Sequence, residues 1–168
     1  RYCLLGSMYD LVPHTKPILV TGSSNNEETS DRVKTYGVNS SNYEGPTSII
    51  TTINQYLNKV GIETMGLIAH LPQYAQTEVN HAGRLMLLNI ICELYGFSMD
   101  LGRIALRAKQ QNDELSAAMA KSPEVKALVE QLELQYDKRL NKDEDNDYDL
   151  SPEIEDFLDE MGNQFSQN

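Results

Sequence analysis

The stretch from Gly45 to Pro72 constrains the fold more than any other. Pro46 follows Gly45 at the first position of a helix, where a missing N–H costs nothing because the first helical N–H groups have no intrahelical partner. Ile49, Ile50, Ile53, Leu57 and Val60 then recur on one face at helical spacing. Gly61 ends the helix, since glycine tolerates the left-handed backbone a helix stop requires. Thr64 to Ala69 follow as a short apolar run, stopped at Pro72. A helix leading into a strand with no polar alternation predicts a mostly parallel sheet flanked by helices, an α/β fold. Ile49, Ile53, Leu57, Leu67, Ile68, Leu88 and Ile91 are expected in its core.

Upstream, Pro17 to Thr21 reads as a buried strand ending in the polar turn Gly22-Ser23-Ser24-Asn25-Asn26. Glu27 to Asp31 starts a helix or stays a loop, and Arg32 to Val38 reads as a short strand with β formers at Val33, Thr35 and Tyr36. Downstream, Asn80 is an N-cap for a helix whose stripe is Leu85, Leu88, Ile91, Cys92 and Tyr95, stopped by Gly96. Asp100 caps a third helix, and Ser122-Pro123-Glu124 opens a fourth with cap, proline and early acid in order. The short break between them predicts an antiparallel hairpin. The expected organisation is an α/β part over residues 1–100, a helical hairpin over 101–141, and an acidic tether with a short amphipathic helix over 142–168.

Charge is unevenly placed. Residues 1–112 carry nine basic and nine acidic side chains. Residues 113–168 carry five basic and sixteen acidic ones, so the whole net charge of −11 lies there. Such a surface repels nucleic acid and anionic membranes, which bind proteins through Lys and Arg. No apolar run approaches the length needed to cross a bilayer. With two cysteines, Cys3 and Cys92, the chain is expected in the cytoplasm with reduced thiols. It begins at Arg1 with an apolar run almost at once, as the later part of a longer protein would.

Chemistry-bearing residues are few. The helix start at Gly45, Thr47 and Ser48 can offer N–H and hydroxyl donors to an anion, or simply be a capped helix on a sheet. His70 lies at the carboxyl end of the predicted strand, where α/β folds bind ligands. Ser23 and Ser24 follow a strand. Ser24 with His70 and an acid would make a nucleophile, although the sharp Gly-x-Ser-x-Gly turn is missing and a polar loop is the plainer reading. His14, between two prolines, and His81, at a helix start, complete the histidines. No His-x-x-x-His or Cys-x-x-Cys spacing suggests a metal, and no cofactor is expected. In the tail, Ile154, Phe157, Leu158 and Met161 share one helical side, a partner-docking face or a solvated tail. Arg103, Arg107 and Lys109 are the expected basic face for its acids.

Three segments carry a resemblance. The Glu44-Gly45-Pro46-Thr47-Ser48-Ile49-Ile50 start with its strand and Leu71-Pro72-Gln73-Tyr74 exit resembles the bacterial branch of the proteasome-assembly-chaperone-2 family. Gly6-Ser7-Met8-Tyr9-Asp10-Leu11-Val12-Pro13-His14-Thr15-Lys16-Pro17 is similar to a Pro-His-Thr-Arg-Pro signature of actinobacterial members, and Asn80 to Tyr95 resembles the helix after the strand exit. Gln73 stands where relatives often have His, so no acid, base or ligand role is carried over there. The resemblance implies a phosphorylase/hydrolase-like three-layer fold and a non-catalytic protein-binding or assembly-chaperone role, with a protein partner or self-association into a homo-oligomer. The chain ends Ser166-Gln167-Asn168, unlike the hydrophobic-Tyr-any-residue tail of many proteasome-binding factors. The alternative is an anion- or small-molecule-binding enzyme using Ser23, Gly45, Thr47, Ser48 and His70 at the strand ends.

Overall fold

A computed structural model describes residues 1–40 and 49–141. Four strands, β1 (Tyr2–Asp10), β2 (Val20–Ser24), β3 (Val38–Ser40) and β4 (Thr64–Pro72), form one sheet in the order β1-β4-β2-β3. β1 runs parallel to β4 and β2 parallel to β3, while β2 runs antiparallel to β4. The sheet is therefore mixed though mostly parallel, and with its helices it forms the expected three-layer α/β fold.

β4 is buried because its residues are needed on both faces. Met65, Leu67 and Ala69 meet Val20 and Val38 of the neighbouring strands on one face. That face is covered by α1 (Glu27–Lys34) through Val33 and by α3 (His81–Tyr95) through Ile90 and Leu94. Full burial of one such aliphatic side chain contributes about 1.5–3 kcal/mol. Gly83 lets α3 sit this close, since a Cβ there would lie 2.7 Å from Cδ2 of Leu71. The ends of α3 follow the sequence: Asn80 accepts the Gly83 N–H at 2.8 Å, and Gly96 takes the left-handed C-cap at φ 67°.

Two segments depart from expectation. The strand expected over Arg32 to Val38 is instead the end of α1 and a turn. Asn26 caps that helix, Glu27 and Glu28 occupy its first turn, and Arg32 and Lys34 its last, all favourable to the helix dipole. Gly37, at φ 77°, then turns the chain so that the strand begins only at Val38. Likewise β2 starts at Val20 rather than Pro17.

The helix expected after Pro46 exists as α2 (Ile49–Lys59), but its apolar stripe is not core. Ile49 is 73% and Ile53 37% exposed, and among the described residues none of α2 is buried. Leu57 and Asn54 are half-buried on it; Ile68, Leu88 and Ile91 are also half-buried, and Leu67 is fully core. The helix is anchored by polar contacts at its end, where Asn58 meets Asn25 and Thr64, so its stripe is wider than the surface it covers.

Helix α4 (Gly102–Met119) packs mainly on α3, and α5 (Pro123–Asn141) follows after a short turn. Asp100 accepts the Gly102 N–H at 2.9 Å, although Leu101 occupies the cap position. A second cluster joins Leu128, Val129 and Leu132 of α5 to Tyr74 and Ala75, with Leu11, Leu115 and Met119 against it. The main partner of α4 is thus α3, and it reaches the α5 cluster through Leu115 and Met119.

Candidate functional site

Strand register brings three polar side chains together at the carboxyl end of β4. Met8 lies beside His70 and Asp10 beside Pro72 on the parallel side, and Thr21 lies beside Ile68 on the antiparallel side. Side chains alternate across a strand, so Asp10, His70 and Thr21 share one face. His70 is buried, with Nδ1 2.7 Å from Asp10 Oδ2 and Nε2 2.9 Å from Thr21 Oγ1. The carboxylate can only accept, so Nδ1 carries the proton and Thr21 donates to Nε2. Arg139 of α5 donates to the same Asp10 oxygen at 2.9 Å. Burial pushes the Asp10 carboxyl up. The hydrogen bonds from His70 and Arg139 outweigh it and hold the acid well below the usual carboxylate range.

Acid, imidazole and hydroxyl in this order make the arrangement that activates a nucleophilic oxygen. It is also a fully satisfied polar cluster tying β1, β2, β4 and α5 together. A groove of about 380 Å³ lies on the other face of the sheet, lined by Leu5, Tyr9, Ala69, Leu71, Arg84 and Leu87. Its odd-numbered β4 residues point away from Thr21.

Around this cluster the segment between Pro13 and Pro17 clamps α5. Thr15 donates to Glu133, Lys16 Nζ lies 2.8 Å from Asp137 Oδ1, and Tyr136 donates to the Pro17 carbonyl at 2.9 Å. Glu133, Tyr136 and Asp137 are three and four residues apart, hence on one helical face. His14 is buried under the clamp. The Tyr74 hydroxyl accepts the His14 backbone N–H at 2.7 Å and lies 2.7 Å from its Nδ1, leaving Nε2–H to face Ser116 Oγ at 3.1 Å. Burial lowers the His14 pKa and pushes the Tyr74 hydroxyl up to about 12.

The residues anticipated from sequence fall in several places. Ser23 and Ser24 pair with Gly66 and Met65, at the opposite end of β4 from His70. Four residues of strand separate Ser23 from His70, about 13 Å at roughly 3.3 Å per residue. The antiparallel direction of β2 is the cause. Ser24 Oγ donates to the Thr64 carbonyl at 3.0 Å and accepts the Asn26 N–H at 3.1 Å, so it shapes a turn, and Thr21 takes the place beside His70. His81 opens α3, its N–H held by Gln111 Oε1 at 2.9 Å. Gly45, Thr47 and Ser48, and Ile154, Phe157, Leu158 and Met161, lie outside the described residues. Among the described residues no group of three or more His, Cys, Asp or Glu side chains could hold a metal ion, and no helix is long and apolar enough to cross a membrane.

Asp10, Thr21, Tyr74 and Arg139 were not singled out by sequence. Asp10 and Arg139 are 129 residues apart; Asp10 lies in the Gly6 to Pro17 segment of the resemblance without a role assigned to it, and Arg139 sits in no recognisable motif. The one available signal was Pro13 to Pro17, whose rigid backbone presents three consecutive groups to one helix face.

The model of the PAC2 family matches residues 1–119. Among curated proteins no match is found. A Corynebacterium glutamicum protein of unknown function has a similar structure, with 27% identity and a TM-score of 0.74 over 83% of this chain and 50% of that one. A PAC2 family protein from Streptomyces avermitilis is 25% identical, with a TM-score of 0.63 over 76% of this chain and 52% of that one. A Mycobacterium tuberculosis proteasome-assembly chaperone homologue shares the fold at 23% identity and a TM-score of 0.63, over 76% of this chain and 52% of that one. The chain spans about half the length of these structures. With the family model matched over most of its length and the fold shared, the chain belongs to the PAC2 family.

Proposed function

We propose that the chain works by binding protein, as an assembly-chaperone-like module, and not by catalysis. The observation that carries this reading is its apolar surface. Leu5, Met8 and Tyr9 on β1, and Ile49, Ile53 and Tyr56 on α2, are exposed large side chains on regular elements. Apolar surface of this kind, beyond scattered single residues, marks interaction sites. The family membership and the Mycobacterium tuberculosis relative described as a proteasome-assembly chaperone homologue point the same way. The reading places the protein in the cytoplasm, and includes self-association and docking of the tail through Ile154, Phe157, Leu158 and Met161. Affinity capture from a lysate, followed by mass spectrometry, tests it. A reproducible protein set, lost when Met8→Lys or Ile53→Lys is used as bait, is expected. Recovery of nothing above background, or of the same set by both variants, overturns it.

A second reading rests on the Asp10, His70 and Thr21 line, which is the geometry of an activated hydroxyl. It makes the chain a hydrolase of acyl substrates with Thr21 as nucleophile. Hydrolysis of an activated ester that is lost in both Thr21→Val and His70→Gln, with folding retained, would establish it. Equal rates in wild type and variants would remove it.

A further inference from the structure

We propose that α5 is a latch opened by acid: when His14 takes up a second ring proton, the helix leaves residues 13–17 while the sheet stays folded. Its opening needs no partner and no chemistry at His70, so it stands apart from both functional readings.

His14 sits at the joint of the pieces that meet under α5. Its ring faces Tyr74, in the turn after β4, through Nδ1, and Ser116 of α4 through Nε2. Its neighbours Thr15 and Lys16 bind Glu133 and Asp137 of α5. The apolar seat of α5 is Tyr74 and Ala75, with Leu11, Leu115 and Met119, against Leu128, Val129 and Leu132. That cluster is distinct from the sheet's own, built on Val20, Leu67 and Ile90. Proteins open locally in cooperative units of this kind, so α5 can leave without emptying the sheet core.

A second ring proton conflicts with the closed form. The Tyr74 oxygen receives the His14 backbone N–H, and its own proton points to Nδ1, each at 2.7 Å. With both nitrogens protonated the imidazole only donates. The Nδ1 proton then meets the hydroxyl proton along one short line. Tyr74 cannot yield by ionising, because burial pushes its hydroxyl up to about 12. The new charge would also be buried, at 9% exposure, which is costly. Glu133 acts the other way, since its carboxylate attracts a charged His14, but burial outweighs it. In the open form water solvates the charge, and protons bind at the ordinary value of about 6.5. Falling pH therefore favours the open form, by up to about tenfold per unit below that value, until the closed form titrates too.

The covers over His14 are not equally fixed. α4 is packed along α3, and the turn after β4 is tied to β1 by the Gln73 N–H on the Asp10 carbonyl at 3.1 Å. α5 is held through the clamp that His14 itself belongs to. Its departure also withdraws Arg139 from Asp10, which links the latch to the acid beside His70.

Amide hydrogen exchange of the full chain at pH 7.5 and 5.5, corrected for the intrinsic rate, reads the latch. Peptides covering 123–141 should lose up to about tenfold in protection at the lower pH, the ratio a proton site of about 6.5 in the open form allows. Those covering 64–72 should keep theirs. His14→Gln should abolish the difference, and His81→Gln should leave it. A stepped series on wild type needs no variant: the loss should begin below about 6.5, whereas carboxylates would place it near about 4. Protection of α5 that stays level down to pH 5, a parallel loss in β4, or the wild-type loss retained in His14→Gln would overturn the proposal.

Discussion

Arg139, near the end of α5, donates to the same carboxylate oxygen of Asp10 that receives the Nδ1 proton of His70. One acid thereby joins the last described helix to the first strand and to the centre of the sheet. Both members of the Arg139–Asp10 pair are mostly shielded, with side chains about a fifth exposed (21% and 18%). A hydrogen bond to a charged group contributes about 1.5–3 kcal/mol.

Asp10→Asn is therefore expected to lower stability by about 2 kcal/mol at neutral pH. The pH dependence has a definite sign. The folded pKa of Asp10 is depressed, so its contribution is complete above the unfolded value of about 4 and fades as pH falls through the folded one. Urea midpoints from pH 7 down to 2 should decline below about pH 4 in wild type more steeply than in Asp10→Asn. Parallel curves would show that the acid is not held ionised by the fold.

His14 gives the opposite chemistry at a higher pH. Its imidazole is neutral in the fold, wedged between the Tyr74 hydroxyl and Ser116, with Glu133 the nearby acid. Burial depresses its pKa, so protons bind the unfolded chain first. Stability is complete above about 6.5 and falls as pH drops below it, levelling off under the folded pKa. Protonating Nδ1 would set it as a donor against the hydroxyl that now donates to it. Midpoints of wild type should fall between pH 7 and 5.5 while those of His14→Gln stay level. A level wild-type curve would count against a neutral, buried His14.

Leu67→Ala and Ile53→Ala separate core from surface on two elements that look equally apolar in sequence. Leu67 is fully buried, and its truncation should cost about 2–5 kcal/mol. Ile53 is exposed on α2, and its truncation should stay within about 0.5 kcal/mol. Chemical denaturation of both variants checks the pair, and a loss for Ile53→Ala as large as that for Leu67→Ala would place the α2 stripe against the sheet.

That contrast also shows what the sequence contains. Asn80 and Gly96 bound α3 and the unbroken apolar run marks β4, because caps and periodicity are local. The face α2 turns to solvent is not local, since an apolar stripe reads alike whether it is covered by its own sheet or by another chain. The direction of β2 is equally hidden: five residues cannot state which neighbour they will join, and that choice moved Ser23 away from His70 and brought Thr21 to it. The site partners Asp10 and Arg139 meet only because α5 is clamped by residues 13–17, a contact between the chain's beginning and its late helix. The Pro-His-Thr-Lys-Pro segment was legible as a signature, but its role in holding a helix was not.

Within that clamp, the shielded contact should matter more than the charged one. Tyr136 is buried and gives its hydroxyl to the Pro17 carbonyl, so Tyr136→Phe leaves an acceptor without its donor and should cost about 1 kcal/mol or more. Lys16 and Asp137 form an ion pair open to solvent, which contributes little and is screened by salt. Raising salt from 50 to 500 mM, a range in which the screening length shortens severalfold, should erase most of the loss caused by Lys16→Ala and leave that of Tyr136→Phe nearly unchanged. If salt instead removed the Tyr136 effect, or Lys16→Ala proved the costlier change at both salt levels, the docking of α5 would be electrostatic in origin and the buried cluster around Leu132 would be a consequence of it.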